Sequence, residues 1–187
     1  MKKGLIALGV ILLVGFMMVG SFVGRYNNFV VANEQIDGAW AQVENVLQRR
    51  GDLIPNLVST VQGFAEQERE IFIEVANARG RLAGAVSPAE AGAANAGLTG
   101  ALGRLLAISE NYQQLRSNEN FMRLQDELAG SENRIAVERR RYNDTVRTYN
   151  STVLQFPNNL MAGFFGFNSR EYFEADEAAQ QVPTVQF

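Results

Sequence analysis

A run of uncharged, mostly apolar residues at the N-terminus limits what this chain can fold into. Residues 4–24 carry no charged side chain and lie between Lys3 and Arg25. About 20 residues at about 1.5 Å each cover about 30 Å, the thickness of the hydrocarbon core of a bilayer. Only a helix satisfies every backbone group within such a segment. The sequence therefore predicts an N-terminal transmembrane helix that crosses the membrane once.

A cleaved secretory signal is the alternative interpretation of the same segment. Lys2 and Lys3 would form its basic start, and residues 5–19 would form its apolar part. The small-residue cleavage pattern at 19–21 is poor, and the run is longer than a signal needs. Retention as an anchor is therefore the preferred interpretation.

The residue types that are absent exclude most kinds of catalytic site. The chain has no cysteine and no histidine, and its lysines occur only at Lys2 and Lys3. The usual zinc ligands, the usual general base and the cysteine and lysine nucleophiles are therefore missing from the body. A net charge of −3 gives no basic surface for nucleic acid. We expect no cofactor, no nucleic-acid partner and no catalytic or metal-binding residues.

The body of the chain has the periodicity of helices. Apolar residues recur every three or four positions from Tyr26 to Pro157, which predicts four amphipathic helices. The first continues from the span to about residue 50, the second covers about 53–82, the third about 88–115 and the fourth about 118–157. Joined by short connections, they pack most simply as an up-down-up-down antiparallel bundle. The predicted fold is all-α, a transmembrane helix continuing into this four-helix bundle.

Two local signals set the predicted ends of these helices. Residues 49–55, Arg-Arg-Gly-Asp-Leu-Ile-Pro, combine basic residues, a glycine, an aspartate and a proline, a pattern that favours a helix stop and restart. We predict a chain reversal there, with a kink in a longer helix as the alternative. Ser87-Pro88-Ala89-Glu90 matches a capping box with proline in the first helical turn, so the third helix should begin there.

The segment after Pro157 is rich in aromatic residues. It contains Phe164, Phe165 and Phe167, and its glycines and asparagines make it a poor candidate for a helix. It either folds over the open end of the bundle or contacts lipid headgroups or a neighbouring subunit. The acidic residues that follow should become flexible toward Phe187. The predicted domains are thus an anchor (1–25), a helical bundle (26–157) and an aromatic, then acidic, tail (158–187).

Charged and small residues in regular rows are the other candidates for contacts with partners. Acidic residues spaced by four are expected on one helix face, where they repel unless a basic group lies opposite. An arginine row on the fourth helix is either a solvated face or their partner, within the chain or between chains. Glycines on one side of the span could let two spans approach closely. These candidates are Glu66, Glu70 and Glu74, then Arg123, Arg134 and Arg141, then Gly9, Gly20 and Gly24.

Several segments together resemble the signature of a known bacterial family. They are 49–58 (RRGDLIPNLV), 121–125 (FMRLQ), 132–136 (ENRIA), Tyr142-Asn143-Asp144 with Tyr149-Asn150, and Phe156-Pro157 followed by Gly166-Phe167. In these segments and in its N-terminal span the chain resembles the LemA family over nearly its whole length. The resemblance implies a helical bundle on a single-pass anchor in the bacterial cell membrane and no established catalytic activity. It also permits association with other membrane proteins, such as membrane proteases.

The combined expectation is a membrane-anchored scaffold that is not an enzyme. It should contact the lipid bilayer and assemble as a homo-oligomer through helix faces and the aromatic tail. Two alternatives stay open, a carboxylate-based metal-binding or enzymatic bundle and a lipid-binding or membrane-remodelling protein. Lys2, Lys3 and the amino terminus outnumber Arg25 near the span, which places the body on the periplasmic or extracellular side.

Overall fold

The computed structural model describes residues 2–174, and within that range it contains six helices and no strand. The helices are α1 (Lys2–Gln62), α2 (Arg69–Ala83), α3 (Pro88–Ser109), α4 (Gln113–Arg116), α5 (Glu119–Leu154) and α6 (Asn158–Phe165). The all-α prediction and the long apolar N-terminal helix are confirmed. The antiparallel four-helix arrangement stays a prediction, and the flexibility expected toward Phe187 lies outside the described residues.

Helix α1 runs from the apolar span into the body without a break. The predicted continuity at Tyr26 is confirmed, but the predicted reversal at residues 49–55 is wrong, because α1 continues to Gln62 with Pro55 inside it. The alternative of one longer helix is therefore the correct interpretation. The first connection in the chain lies instead at residues 63–68.

A contact from another helix explains how α1 tolerates Pro55. Proline has no N–H to donate to the carbonyl four residues earlier, so the carbonyl oxygen of Gly51 loses its helical partner. The Nε atom of Arg79, on α2, donates to that oxygen at 2.8 Å. The missing hydrogen bond is thus replaced from a residue distant in sequence, and the helix continues.

The later connections confirm one predicted helix start and shift other boundaries. The hydroxyl of Ser87 accepts from the backbone N–H of Glu90 at 3.2 Å, and the Glu90 carboxylate accepts from the N–H of Val86, so the predicted start of α3 is confirmed. Helix α3 ends at Ser109 rather than near residue 115, and the short α4 follows it. The prediction that the second helix starts near residue 53 is wrong by about four turns, because α2 begins at Arg69.

The segment after Pro157 was expected to be a poor helix, and this is wrong. Residues 158–165 form α6, with Met161 and Ala162 buried on one side. Gly166 ends the helix with a φ of 78°, and the N–H of Phe167 donates to the carbonyl of Ala162 at 2.9 Å. Packing and a glycine at the C-terminal cap outweigh the weak helix propensity of the segment.

The chain divides into two compact units. The first, here the span unit, holds the chain up to Gly38 together with Thr145–Arg170. The second, here the body unit, holds Ala39–Asp144 and the described residues from Glu171 onward. The span unit buries Phe29, Ile36, Val146, Tyr149, Val153, Met161 and Ala162. The larger apolar core of the body unit includes Val43, Ile54, Leu57, Val61, Val75, Leu98, Leu105, Leu115, Phe121, Ile135, Tyr142 and Phe173.

Candidate interaction surfaces

The N-terminal part of α1 exposes its apolar side chains in every direction. This helix is long and apolar enough to cross a membrane, and none of its most apolar stretch is buried in protein. The large apolar side chains described there range from 42% exposed at Phe22 to 82% at Phe16. Such a surface is stable only when something apolar surrounds it, and a hydrocarbon slab of matching thickness does so.

The three glycines predicted to promote contact between spans lie on one side of this helix. At about 100° per residue, Gly9, Gly20 and Gly24 fall within about 60° of one another, whereas Gly15 lies about 140° from Gly20. A Cβ atom placed at any of these four glycines would have no neighbour within 4 Å in the part of the chain that the structure describes. The glycine face, Gly9, Gly20 and Gly24, is therefore open to an approaching helix.

An aromatic cluster joins α6 to the end of the apolar span. The ring of Phe165 lies 5.2 Å from that of Phe22 and 4.8 Å from that of Tyr26, centroid to centroid. Phe167 continues the cluster, at 5.8 Å from Tyr26 and 5.1 Å from Phe29. Two of the three predicted tail phenylalanines thus pack on α1 of their own chain.

Phe164, the third predicted tail phenylalanine, packs edge-to-face on Phe165 at 5.2 Å between ring centroids, and it has no other ring contact among the described residues. It is 80% exposed, and Leu160, one turn earlier, is 65% exposed. Asn158, at the first position of α6, accepts a 2.5 Å hydrogen bond from Nη1 of Arg25. Helix α6 is therefore attached to α1 by one face while its apolar opposite face stays uncovered.

A buried arginine lies at the centre of the body unit. Arg50 of α1 is 3% exposed, and its Nη1 atom donates to Oδ1 of Asn95 at 2.6 Å while Nη2 donates to the hydroxyl of Thr99 at 3.0 Å. The same Nη1 lies 2.5 Å from Oε2 of Glu132, on α5. This last contact is an ion pair and not a hydrogen bond, since Oε2 of Glu132 has no hydrogen-bond partner among the described residues. Arg50 thus joins α1, α3 and α5.

The environment of Arg50 indicates a structural rather than a reactive group. Burial lowers the pKa of the Arg50 guanidinium, and the Glu132 carboxylate opposes this change. Arg50 remains charged at neutral pH because an arginine pKa lies far above it. Its Nε–H has no hydrogen-bond partner among the described residues. The cluster therefore holds three helices in register, and Arg50 and Glu132 come from segments noted above as signatures.

The predicted acidic row does not lie on one helix. Glu66 lies in the connection between α1 and α2, and Glu70 stands in the first turn of α2, where a negative charge is favourable. Glu74 forms an ion pair with Arg104 of α3. Within the described residues, no group of three or more acidic side chains could hold a metal ion.

In the contacts described, the predicted arginine row does not pair with the predicted acidic row. Arg123 donates to Oδ1 of Asn120, and Arg141 pairs with Glu138 one turn earlier on α5. Arg123 and Arg134 line a shallow surface groove of about 280 Å³. Arg104, which does pair with Glu74, was not among the predicted residues, and only the fold brings the two together.

The described end of the body unit is held by side chains of α5. The side-chain amide of Asn143 binds the backbone of Phe173 twice, donating to its carbonyl at 3.0 Å and accepting from its N–H at 2.9 Å. The hydroxyl of Tyr142 donates to the carbonyl of Glu171 at 2.8 Å. Phe173 is 1% exposed and packs near Trp40, which is partly buried.

The close approach of this end segment explains a glycine in α3. A Cβ atom at Gly92 would lie 2.7 Å from the carbonyl oxygen of Glu174, which no real side chain tolerates. A glycine at this position of α3 therefore allows the backbone of the end segment to pack directly against the helix. Sequence reasoning missed this role because residues 92 and 174 are distant along the chain.

The span unit contains an equivalent asparagine contact. Asn150 of α5 donates to the carbonyl of Arg170 at 3.0 Å and accepts from its N–H at 2.8 Å. The Arg170 guanidinium forms an ion pair with Asp37. Burial raises the pKa of the neighbouring Tyr149, Arg170 lowers it, and Asp37 raises it further. These asparagines belong to the Tyr-Asn pairs noted in the sequence.

A groove of about 520 Å³ lies beside α1 and α2 of the body unit. Trp40, Glu44 and Asp52 line one side, and Arg79 and Leu82 line the other. Its charges are mixed, and Arg79 is already bonded to the carbonyl of Gly51. The groove therefore has no feature that selects a substrate.

Comparison with known proteins identifies the family of this chain. The sequence profile of the LemA family matches residues 39–187, which is most of the chain. The chain belongs to the LemA family. The family match covers the segments that supply Arg50, Glu132, Asn143 and Asn150. The predicted resemblance is confirmed.

The relatives of this LemA family member include magnetosome proteins. Magnetosome proteins MamQ 1 and MamQ 2 of Paramagnetospirillum magneticum AMB-1 are each 29% identical over 207 aligned positions, covering 97% of this chain and 75% of the relative. Magnetosome protein MamQ of Magnetospirillum gryphiswaldense MSR-1 is similar to the same extent. Together with the unburied apolar helix, these matches support a membrane-associated protein.

Proposed function

We propose that this LemA family member is a membrane-anchored scaffold that performs no catalysis and associates with itself through the glycine face of its span. One observation carries the proposal, namely that a single helix continues from an unburied apolar segment into the packed body. The anchor and the body therefore share one element. Contacts made inside the membrane would bring bodies together without any further linker.

The chemistry of the glycine face supports self-association. Lipid chains are as apolar as leucine, so helices in a bilayer associate through close packing at small residues rather than through a hydrophobic driving force. Gly20 and Gly24 have the four-residue spacing of such contacts, and Gly9 extends the same side. Among the described residues, none of the three has a neighbour that would block a partner helix.

Oxidative cross-linking of single-cysteine variants tests this contact directly. The chain has no cysteine of its own, so Gly20→Cys and Gly24→Cys each introduce one thiol into the full-length protein. Gly15→Cys is a matched control, because it lies on the opposite side of the span and is equally open. We expect disulfide-linked dimers from the Gly20 and Gly24 variants in liposomes, at several times the yield of the Gly15 variant.

Two results would contradict the proposal. Equal yields from all three positions would show that collisions, rather than a glycine contact, bring spans together. A lack of cross-linking at Gly20 and Gly24 would show that the spans do not meet on this face. Either result leaves the membrane anchor itself intact, so anchoring and self-association can be judged separately.

Other parts of the proposal concern location, organisation and partners. We propose a bacterial cell membrane location with the body on the periplasmic or extracellular side, following the cations at Lys2 and Lys3. The domain division at residues 25 and 157 belongs to the same proposal. Other membrane proteins, including membrane proteases, would bind the exposed faces of the body. Protection of Lys2 and Lys3 from a membrane-impermeant amine reagent added to intact cells tests the orientation.

A further inference from the structure

The uncovered face of α6 combines large apolar side chains with a fixed attachment to α1. Leu160 and Phe164 are one turn apart on this face, and Phe156, just before the helix, is 79% exposed. Met161 and Ala162, on another side of α6, are buried. A short helix with one buried and one exposed apolar face needs a second apolar environment.

The contacts of α6 fix its level along α1. Phe165 contacts Phe22 and Tyr26, which lie two residues before and two residues after Gly24, the end of the uncharged run. Arg25, the first charged residue after the run, binds the first residue of α6. Helix α6 is therefore attached where α1 would leave the hydrocarbon layer.

We propose that α6 is an interfacial helix that inserts Leu160 and Phe164 into the same bilayer that the span crosses. Short amphipathic helices with leucine and phenylalanine on one face bury that face at the boundary between headgroups and acyl chains. The occupant is lipid rather than a second copy, because ring contacts from Phe164 to Phe165 and from Phe165 to Phe22 join the exposed face to the apolar span, whose surface is itself suited to hydrocarbon. The proposal rests on the membrane anchor of the proposed function and is independent of the glycine face.

Nitroxide accessibility in liposomes tests this placement in the full-length chain. Spin labels are attached to Phe164→Cys and Leu160→Cys, and their collisions with oxygen, which concentrates in lipid, are compared with those of a water-soluble nickel chelate. Two exposed positions on α1 calibrate depth. Val19→Cys lies within the span, and Val31→Cys lies seven residues, or about 10 Å, beyond its end.

The expected result is that the labels at 160 and 164 collide several-fold more often with oxygen than with the nickel chelate. The ratio of oxygen collisions to nickel-chelate collisions at 160 and 164 should fall between the ratios of the Val19 and Val31 labels, and closer to that of Val19. Ratios at or below that of the Val31 label would overturn the proposal. Immobilised labels shielded from both reagents, together with disulfide dimers from unlabelled Phe164→Cys, would assign the face to a second copy and would also overturn it.

Two further measurements keep the test decisive. Circular dichroism of each variant checks that its helical content is unchanged. Phe164→Ser and Leu160→Ser carry no spin label and replace the apolar side chains by small polar ones, and hydrogen exchange of the α6 amides then reports on lipid contact. In liposomes, we expect the α6 amides of the unaltered protein to be more protected from exchange than those of the two serine variants. A Val19 label that is not accessible to oxygen would refute the anchor itself, which separates that failure from a failure confined to α6.

Discussion

The span unit and the body unit differ in the environment that they give to apolar and charged side chains. In the span unit, aromatic rings around Phe165 pack on α1 while large apolar groups such as Phe164 remain uncovered. The body unit has a larger apolar core, and a charged group, Arg50, is buried with it. The first pattern suits a surface that meets lipid, and the second suits a domain that faces water.

The comparison teaches where each unit is vulnerable. A substitution on an exposed apolar face should leave the fold intact and weaken the contacts of that face with lipid. A buried arginine is costly to leave without its partners, because its charge has been removed from water. Substitutions in the body unit should therefore affect stability most, and the predictions follow in order of decreasing effect.

The largest effect should come from removing the charge partner of Arg50. Glu132→Ala leaves the buried guanidinium without a counterion and should lower the free energy of unfolding of the full-length protein by about 3 kcal/mol. Chemical denaturation followed by circular dichroism measures this. Glu127→Ala, at an exposed position on the same helix, is the control and should change stability by less than about 0.5 kcal/mol. Equal effects from both would show that the ion pair has no structural role.

A smaller loss should follow when the end segment of the body unit is released. Asn143→Ala removes both hydrogen bonds to the backbone of Phe173 and should lower the free energy of unfolding by about 2 kcal/mol. Faster hydrogen exchange at Phe173 should accompany it. Asn77→Ala, an exposed change on α2, serves as the control. Unchanged protection of Phe173 would mean that the asparagine contact does not hold this segment.

The link between Arg79 and Pro55 can be tested with a double-mutant cycle. Arg79→Met should cost about 1 kcal/mol, because the carbonyl of Gly51 loses its donor. In a Pro55→Ala background the helix supplies its own N–H to that carbonyl, so the cost should shrink. We expect a coupling free energy of about 1 kcal/mol between the two sites. Additive effects would refute the replacement of the missing helical bond by Arg79.

The smallest effect should be a pH dependence that originates in the span unit. Burial raises the pKa of Tyr149, so its phenol ionises less readily in the folded than in the unfolded protein. Its contribution to stability is therefore complete below the ordinary tyrosine pKa of about 10 and is lost as the pH rises through the folded value. Between pH 9 and about 11, the midpoint temperature of thermal unfolding should fall less steeply with pH for Tyr149→Phe than for the unaltered protein. Parallel curves would contradict this.

Local features of the structure could be predicted from the sequence, and features made by distant residues could not. The apolar span and the Ser87 cap depend on neighbouring residues, and both were identified. The reversal predicted at residues 49–55 was wrong because Arg79 replaces the bond that Pro55 removes. Helix α6 was missed because its packing partners, Phe22 and Tyr26, lie far away in sequence.

The candidate site residues divide in the same way. The glycine face follows from helix periodicity alone, so Gly9, Gly20 and Gly24 could be named from spacing. The partner of Glu74 could not, because Arg104 comes from another helix. Arg50 was interpreted as part of a helix end, although its burial with Asn95, Thr99 and Glu132 makes it a central residue of the body unit. A buried charge is visible only when the surrounding helices are known.

The mass of the full-length protein in lipid nanodiscs tests the central proposal most directly. The account predicts dimers or larger assemblies for the unaltered chain and monomers for the Gly20→Leu, Gly24→Leu double variant, because leucine keeps two spans apart at the glycine face. Gly15→Leu, on the opposite side, should leave the assembly unchanged. A monomer for the unaltered chain, or an assembly that persists in the double variant, would contradict the proposed scaffold.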